Sequence, residues 1–207
     1  EHWSHYALLP NYLRRKGSSL VYMADRLLSD CGSGGFYLDD HEALLEAMAR
    51  DEKPKILLGV SYALWDLAER YAPKLRDTVV METGGMKGYR EEIPKEEFHK
   101  ILCDAFGVHE IHSEYGMAEL TSQAYSQGGN RFRCPAWMRV TARDVNDPFE
   151  RLPAGTRGGL NITDLGNWWS CAFIQTQDVG HVGADGSFLV EGRIDHSDIR
   201  GCNLLVQ

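Results

Sequence analysis

Residues 55–60 read Lys-Ile-Leu-Leu-Gly-Val, and residues 78–81 read Thr-Val-Val-Met. Short, continuous apolar runs of this kind are typical of strands that are buried on both faces of a sheet. Between the two runs, Leu64, Leu67 and Ala68 recur at helical spacing. Because a strand, a helix and a second strand in this order form a crossover unit, the sequence predicts a parallel sheet with flanking helices.

The same alternation continues on both sides of these runs. Residues 17–29 are predicted to form a helix with a serine cap, and Asp39 or Asp40 is predicted to cap a second helix. Pro94 is predicted to open a further helix, because proline is favoured in the first helical turn. Residues 108–112 are predicted to be the next strand. These elements extend the α/β pattern over the first half of the chain.

The pattern changes in the second half of the chain. Residues 138–145 alternate apolar and polar side chains, and residues 158–163 are strand-like. The string Ala-Asp-Gly-Ser at 184–187 separates two apolar segments, as the turn of a β-hairpin does. We therefore expect two parts, an α/β subdomain over residues 1–135 and a β-rich subdomain with the form of a distorted barrel over residues 136–207.

Composition and charge narrow the class of partner. The 207 residues carry a net charge of −8, which argues against nucleic acid because phosphate backbones require a basic surface. No apolar run approaches the ~20 residues that a membrane-spanning helix needs. The five cysteines are widely spaced and include no Cys-x-x-Cys pair. That spacing favours a reduced, cytoplasmic protein over a disulfide framework or a structural zinc site.

Ligand-binding groups are expected where the predicted parallel strands end, because ligands bind at the carboxyl ends of such strands. Gly84 and Gly85 follow the strand at 78–81. Paired glycines permit a tight turn and leave no side chain between the backbone and a ligand, so backbone groups there could read an adenine ring. The same pair is also common in ordinary strand-exit turns, and both interpretations stay open.

Residues 115–119 read Tyr-Gly-Met-Ala-Glu and follow the predicted strand at 108–112. The ring of Tyr115 can stack on a purine, and Gly116 would let the backbone pass close to a ligand. The carboxylate of Glu119 can hold a magnesium ion that bridges phosphates. The alternative is a strand-to-helix turn with a buried tyrosine and an exposed glutamate.

Two further candidates lie in the β-rich part. Asp178, in Thr-Gln-Asp-Val-Gly at 176–180, can accept both hydrogen bonds of a ribose diol. Arg193 could reach a ribose or a phosphate with its planar guanidinium. An aspartate that closes a turn and an arginine that forms a surface salt bridge are the alternatives.

Four segments taken together resemble a known family. The segments are 82–88 (Glu-Thr-Gly-Gly-Met-Lys-Gly), 112–120 (His-Ser-Glu-Tyr-Gly-Met-Ala-Glu-Leu), 176–180, and 192–205, which begins Gly-Arg-Ile-Asp-His-Ser-Asp-Ile-Arg-Gly. In this order they resemble the acyl-protein synthetase (LuxE-type) branch of the adenylate-forming superfamily. That branch is close to the phenylacetate–CoA ligases. The resemblance covers nearly the whole chain, from about Leu8 to Val206.

The resemblance implies a nucleotide site and a role for each candidate. It implies the later part of a large α/β domain with a β-barrel-like subdomain, with Asp195 near a hinge to a small C-terminal domain. Glu119 and Arg193 would be the catalytic residues, Glu119 as the ligand of Mg²⁺ and Arg193 as support for the nucleotide. The residues implied to contact ATP or AMP are Gly84, Gly85, Tyr115, Gly116, Met117, Ala118, Asp178 and Arg193.

The function implied is the activation of a carboxylic acid, with a fatty acid as the expected substrate, by ATP to an acyl-adenylate. The acyl group then passes to a thiol, either on an acceptor protein or acyl reductase or on coenzyme A. An aryl or acyl–CoA ligase of phenylacetate type and a non-catalytic nucleotide-binding remnant are the alternatives. Ala118 stands where the family usually has a threonine that touches the α-phosphate. The family's phosphate loop is expected upstream of Glu1, and its catalytic lysine beyond Gln207.

Overall fold

The computed structural model of the chain describes residues 3–10, 18–86, 90 and 93–194. The chain divides into two compact units, the N-terminal unit of residues 1–112 and the C-terminal unit of residues 113–207. This division lies at 112/113, whereas the sequence pattern placed the change near 135/136. The nucleotide-binding roles of the candidate residues in the two predicted subdomains stay predictions.

The N-terminal unit is a parallel sheet with helices. Its strands follow the order β2-β1-β3-β4, and every described pairing among them is parallel. The α/β class predicted from the sequence is confirmed. The strands are β1 (Ser4–Leu8), β2 (Gly34–Tyr37), β3 (Lys55–Val60) and β4 (Thr78–Thr83), and the helices are α1 (Ser19–Cys31), α2 (His41–Arg50), α3 (Ser61–Tyr71) and α4 (Lys95–Phe106).

The helices begin and end where the capping residues direct. Ser18 accepts a hydrogen bond from the backbone N–H of Val21, and Asp40 accepts one from that of Ala43. Both caps satisfy N–H groups that the first turn leaves without partners. Gly32 and Gly107 end α1 and α4 in the left-handed conformation. The helices predicted after residue 17, after Asp40 and after Pro94 are therefore confirmed.

The strand β1 was not predicted, although it is an inner strand that pairs with β2 and β3. Its sequence, Ser-His-Tyr-Ala-Leu, has no β-branched residue and gives a weak strand signal. Tertiary pairing nevertheless buries Tyr6, Ala7 and Leu8 in the core. The strand β2 was missed for a related reason, because it begins with two glycines.

The predicted strand at 108–112 is wrong in position. The observed strand, β5, runs from His112 to Tyr115 and pairs antiparallel with β6. The polar residues His112, Ser113 and Glu114 concealed it, because an apolar run marks only strands that are buried on both faces.

The C-terminal unit is an antiparallel β-structure. Its strands follow the order β5-β6-β7-β11-β10-β9-β8, and the predicted hairpin is confirmed as the pair β10 and β11. Its core contains Phe132, Leu160, Ile162 and Phe188. After β5, the remaining strands are β6 (Ala124–Ser126), β7 (Arg131–Arg133), β8 (Met138–Arg143), β9 (Arg157–Asp164), β10 (Phe173–Val182) and β11 (Phe188–Arg193), with a 3₁₀ turn at Leu165–Asn167.

Among the helices that the structure describes, none has both the length and the apolar character needed to cross a membrane.

Replacing Gly34 by alanine is expected to lower the free energy of unfolding by about 2–4 kcal/mol, because clash and backbone strain act together. The backbone at Gly34 has φ of 106°, and an added Cβ would lie 1.6 Å from the carbonyl oxygen of its β1 partner His5. Urea unfolding followed by circular dichroism measures the change.

The matched control is Gly32→Ala. Gly32 also has a positive φ, of 63°, but an added Cβ would meet no atom of the described residues within 4 Å. The free energy of unfolding should fall by only about 1 kcal/mol in this variant, which is the backbone cost alone. Equal losses in the two variants would contradict the pairing of β1 with β2.

Candidate functional site

The glycine turn of the N-terminal unit follows β4 directly. Gly84 is exposed and has φ of 75°, which is a left-handed conformation that glycine adopts without strain. The hydroxyl of Ser61 lies 2.8 Å from Oε2 of Glu82 and 3.1 Å from the carbonyl oxygen of Gly84. The side chain of Ser61, the first residue of α3, therefore holds the backbone of this turn. Lys87 and Gly88 of the same segment lie outside the described residues.

A buried acidic side chain, which the sequence patterns did not single out, supports this turn. The residue Glu82 is fully buried in β4, two residues before Gly84. Lys95 forms an ion pair with it, and the ring of His99 lies 3.6 Å from the same oxygen. A buried carboxylate needs such partners, because burial without them is strongly unfavourable. A glutamate inside an otherwise apolar strand was the available signal.

Three of the predicted site residues come together in the C-terminal unit. The hydroxyl of Tyr115 donates a hydrogen bond to Oδ2 of Asp178 over 2.6 Å. Arg193 is the cross-strand neighbour of Asp178, and its Nε lies 3.9 Å from Oδ1. The three side chains come from β5, β10 and β11, so residues 63 positions apart in the chain meet.

Neighbouring side chains pack against or bind to Tyr115, Asp178 and Arg193. The ring of Tyr115 packs against Phe132 and Phe188, with ring centroids 5.7 Å and 5.3 Å apart, which fixes its orientation. Asp178 is only 4% exposed. Nη2 of Arg193 donates to Gln177, whereas its buried Nε and Nη1 form no hydrogen bond among the described residues. Two donors of Arg193 are therefore buried without a hydrogen-bond partner among the described residues.

The loop at 116–119 leaves the strand with mixed exposure. Gly116 and Met117 are partly buried, and Met117 packs on the core of the C-terminal unit. Ala118 and Glu119 are exposed. The backbone carbonyl of Glu119 accepts a hydrogen bond of 2.7 Å from the side-chain amide of Asn167. The loop backbone is thus held while the Glu119 carboxylate faces solvent.

Asp164 anchors the chain just after this loop, and sequence reasoning missed it. It is fully buried at the end of β9. Its carboxylate accepts hydrogen bonds from the backbone N–H groups of Thr121, Ser122 and Gly166 and from the hydroxyl of Ser122. Burial by itself raises the pKa of Asp164, but these hydrogen bonds outweigh it and hold the pKa below its usual value.

An open cavity of about 710 Å³ lies beside this anchor. Burial raises the pKa of the Cys134 thiol in its wall to about 11, so this cysteine is protonated at neutral pH and is a poor nucleophile. Trp137 is held in the wall by a hydrogen bond from its Nε1 to the Ser122 hydroxyl. The residues that line the cavity are Thr121, Ser122, Gln123, Tyr125, Arg133, Cys134, Pro135, Trp137 and Gly166.

The predicted magnesium ligand can be tested for fit. Within the described part of the chain, no three histidine, cysteine, aspartate or glutamate side chains are grouped to hold a metal. Magnesium is commonly held by one or two carboxylates together with the phosphates of a nucleotide. The single exposed carboxylate of Glu119 fits a cation that arrives with a nucleotide. Asp195 lies outside the described residues.

Neither a protein-family model nor a curated protein matches this chain. Solved structures do match it. ATP-bound MatB from Rhodopseudomonas palustris has a TM-score of 0.66 at 15% identity, over 92% of this chain and 40% of that chain. The amide bond synthetase McbA from Marinactinospora thermotolerans has a TM-score of 0.63 at 17% identity, over 93% of this chain and 41% of that chain.

O-succinylbenzoate coenzyme A synthetase (MenE) from Bacillus subtilis, in complex with AMP, has a TM-score of 0.64 at 14% identity. That match covers 93% of this chain and 42% of the synthetase. At such identities the likeness shows the fold, which this chain shares with part of each of these proteins. The chain spans about two fifths of their length.

The variant Asp164→Asn is expected to lower the free energy of unfolding at pH 7 by about 2 kcal/mol, because its amide NH₂ would face N–H donors that now meet a carboxylate. The folded-state pKa of Asp164 is depressed. Its contribution is therefore complete above the unfolded pKa of about 3.9 and is lost as the pH falls through the folded pKa.

Urea unfolding of both proteins at pH 7 and at pH 3 measures this dependence. The difference between wild type and variant should shrink at the lower pH. The control is Asp144→Asn, since Asp144 also accepts backbone hydrogen bonds but on the surface. A difference for Asp164→Asn that stays constant with pH would show that its carboxylate charge does not hold the loop.

Proposed function

We propose that this chain is part of an enzyme that activates a carboxylic acid with ATP as an acyl-adenylate and then transfers the acyl group to a thiol. The observation that carries the proposal is the meeting of Tyr115, Asp178 and Arg193 in the C-terminal unit. The fold shared with ATP-bound MatB and AMP-bound MenE supports it. The chain spans about two fifths of those proteins. We therefore propose the complete activity for the enzyme of which this chain is part.

The chemistry of each side chain suits a nucleotide. The carboxylate of Asp178 can accept hydrogen bonds from both hydroxyl groups of a ribose, once the hydrogen bond that it receives from the Tyr115 hydroxyl is broken. The ring of Tyr115 can stack on adenine, while the guanidinium of Arg193, whose side chain is 26% exposed, can donate to the ribose or the phosphate.

The reaction is a displacement at the α-phosphorus of ATP. A carboxylate oxygen of the acid forms a bond to that phosphorus, and the bond to the bridging oxygen breaks, so that pyrophosphate leaves. Negative charge spreads over the phosphoryl oxygens, and catalysis consists mainly of positioning and charge neutralisation. Arg193 supplies part of that neutralisation. Glu119 would hold Mg²⁺, which offsets phosphate charge when bound.

The loop at 116–119 differs from the family pattern at one position, and this difference limits its contacts with phosphate. Ala118 has no hydroxyl, and the neighbouring hydroxyls of Thr121 and Ser122 are already directed at Asp164, over 3.3 Å and 2.7 Å. Neither can replace the missing hydroxyl without releasing that anchor. This observation favours the alternative of a nucleotide-binding remnant without turnover.

We further propose that the substrate is a fatty acid and that the acceptor is a thiol on an acceptor protein or acyl reductase. A second candidate is a coenzyme A ligase, which the similarity of fold to the coenzyme A synthetase MenE favours. Both functions pass through the acyl-adenylate. They differ in the acceptor, and the coenzyme A ligase of phenylacetate type would also activate an aryl or short acid in place of a fatty acid.

Asp178→Ala is expected to weaken binding of a non-hydrolysable fatty acyl-adenylate analogue, in the presence of magnesium, by about tenfold or more, because two hydrogen bonds to a charged acceptor are lost. Isothermal titration calorimetry measures the affinity. The matched control is Asp185→Ala, which removes the aspartate that closes the same β10–β11 hairpin and should leave affinity unchanged. Equal affinity in wild type and Asp178→Ala would refute the assignment of the ribose site.

The acceptor is decided by supplying preformed fatty acyl-adenylate with coenzyme A or with a thiol-bearing acceptor protein. Acylation of the protein at a rate at least about tenfold above that of coenzyme A, a difference of ~1.4 kcal/mol in the barrier, is expected. Faster thioester formation with coenzyme A would favour the second candidate. Transfer to neither thiol, with analogue binding intact, would favour the remnant.

A further inference from the structure

Arg143 is a buried cation at the end of β8. It is 3% exposed, and Nε and Nη1 of its guanidinium form no hydrogen bond among the described residues. Burial lowers the pKa of the guanidinium, and no carboxylate in the described part of the chain opposes that shift. Burying a charge without an acidic partner is unfavourable, so a compensating role is expected.

The guanidinium reaches across β9 to β10. Arg143 is in register with Gly159, and an added Cβ at Gly159 would lie 1.4 Å from Nη1 and 2.5 Å from Cζ of Arg143. Only glycine leaves room for this passage. Beyond Gly159, Nη2 donates a hydrogen bond of 2.8 Å to the backbone carbonyl of Thr176.

Thr176 begins the bulge of β10, defined as residues 176–178. The pairing of β10 with β9 passes from Gln175 opposite Asn161 to Val179 opposite Gly159, so three residues of β10 face Leu160 alone. Such a bulge leaves backbone groups outside the ladder. Those groups need other partners when they are buried.

Side chains satisfy the groups that the bulge releases. The hydroxyl of Thr176 donates to the carbonyl of Leu160 over 2.8 Å and accepts from the backbone N–H of Asp178 over 3.1 Å. Arg143 satisfies the carbonyl of Thr176. The last residue of the bulge, Asp178, is the carboxylate that meets Tyr115 and Arg193.

We infer that Arg143 is a positioning residue, whose guanidinium, passing over Gly159, holds the bulge of β10 in the form that presents Asp178 to the ligand. Its consequence for binding rests on the proposed function, in which Asp178 holds the ribose diol. The conformation of the bulge itself does not depend on that function.

The first experiment compares the affinities of AMP and 2′,3′-dideoxy-AMP by calorimetry. Wild type should prefer AMP, because only AMP carries the diol. In Arg143→Met, which keeps the length of the side chain, this preference should fall about tenfold, because the carboxylate is no longer fixed. Affinity for the dideoxy nucleotide should not change, whereas general damage to the fold would weaken both ligands. Arg143→Lys, which retains one donor, should recover part of the preference.

A double-mutant cycle tests the path over Gly159. Gly159→Ala should displace the guanidinium and reduce the AMP preference as Arg143→Met does. In the double variant Arg143→Met with Gly159→Ala, the second change should add little, because the group it displaces is already absent. Additive losses would overturn the role of Gly159 as the passage for Arg143.

A measurement without nucleotide separates this inference from the proposed function. The backbone amide of Asp178 should exchange with solvent about tenfold faster in Arg143→Met, or in Gly159→Ala if the methionine variant does not fold, because bulge opening costs less. Unchanged exchange in a folded variant overturns the positioning role. Faster exchange in a chain whose wild type shows no preference for AMP supports the positioning role and rejects the proposed function.

Discussion

A mismatch of three residues against one, where β10 passes Leu160 of β9, is the constraint on which the C-terminal unit depends. A regular ladder would satisfy every backbone group, but this bulge releases several, and buried groups must find partners elsewhere. The hydroxyl of Thr176 and the guanidinium of Arg143 provide them. A buried charge, a glycine and a threonine thereby serve one local requirement, and the bulge ends at Asp178.

Buried carboxylates also hold the backbone in place at the ends of two other strands. Glu82 at the end of β4 and Asp164 at the end of β9 are fully buried, and each organises the chain near a predicted ligand-binding loop. In both cases donors from neighbouring segments satisfy the carboxylate. Its desolvation is thereby offset by hydrogen bonds that also fix the loop. The loops that carry Gly84 and Glu119 therefore have rigid bases although their tips are exposed.

The fold alone does not decide the chemistry, because one fold hosts many functions. At identities of 14–17%, the likeness to MatB, McbA and MenE establishes architecture. The proposed function instead depends on particular side chains. In that proposal Tyr115, Asp178 and Arg193 suit a nucleoside, whereas Ala118 lacks a hydroxyl for a phosphate and the hydroxyl of Thr121 is directed at Asp164. In the proposed function, nucleotide binding and turnover are therefore separable.

The sequence by itself determined the elements whose signals are local. The apolar runs at 55–60 and 78–81, the caps at Ser18 and Asp40, and the turn at 184–187 each reflect a period or a preference that neighbouring residues set. Tertiary structure alone decided which distant groups meet. Strand order and register decide that β1 lies between β2 and β3, that Arg143 passes over Gly159 and that Tyr115 bonds to Asp178. Those are set by long-range pairing that no local pattern records.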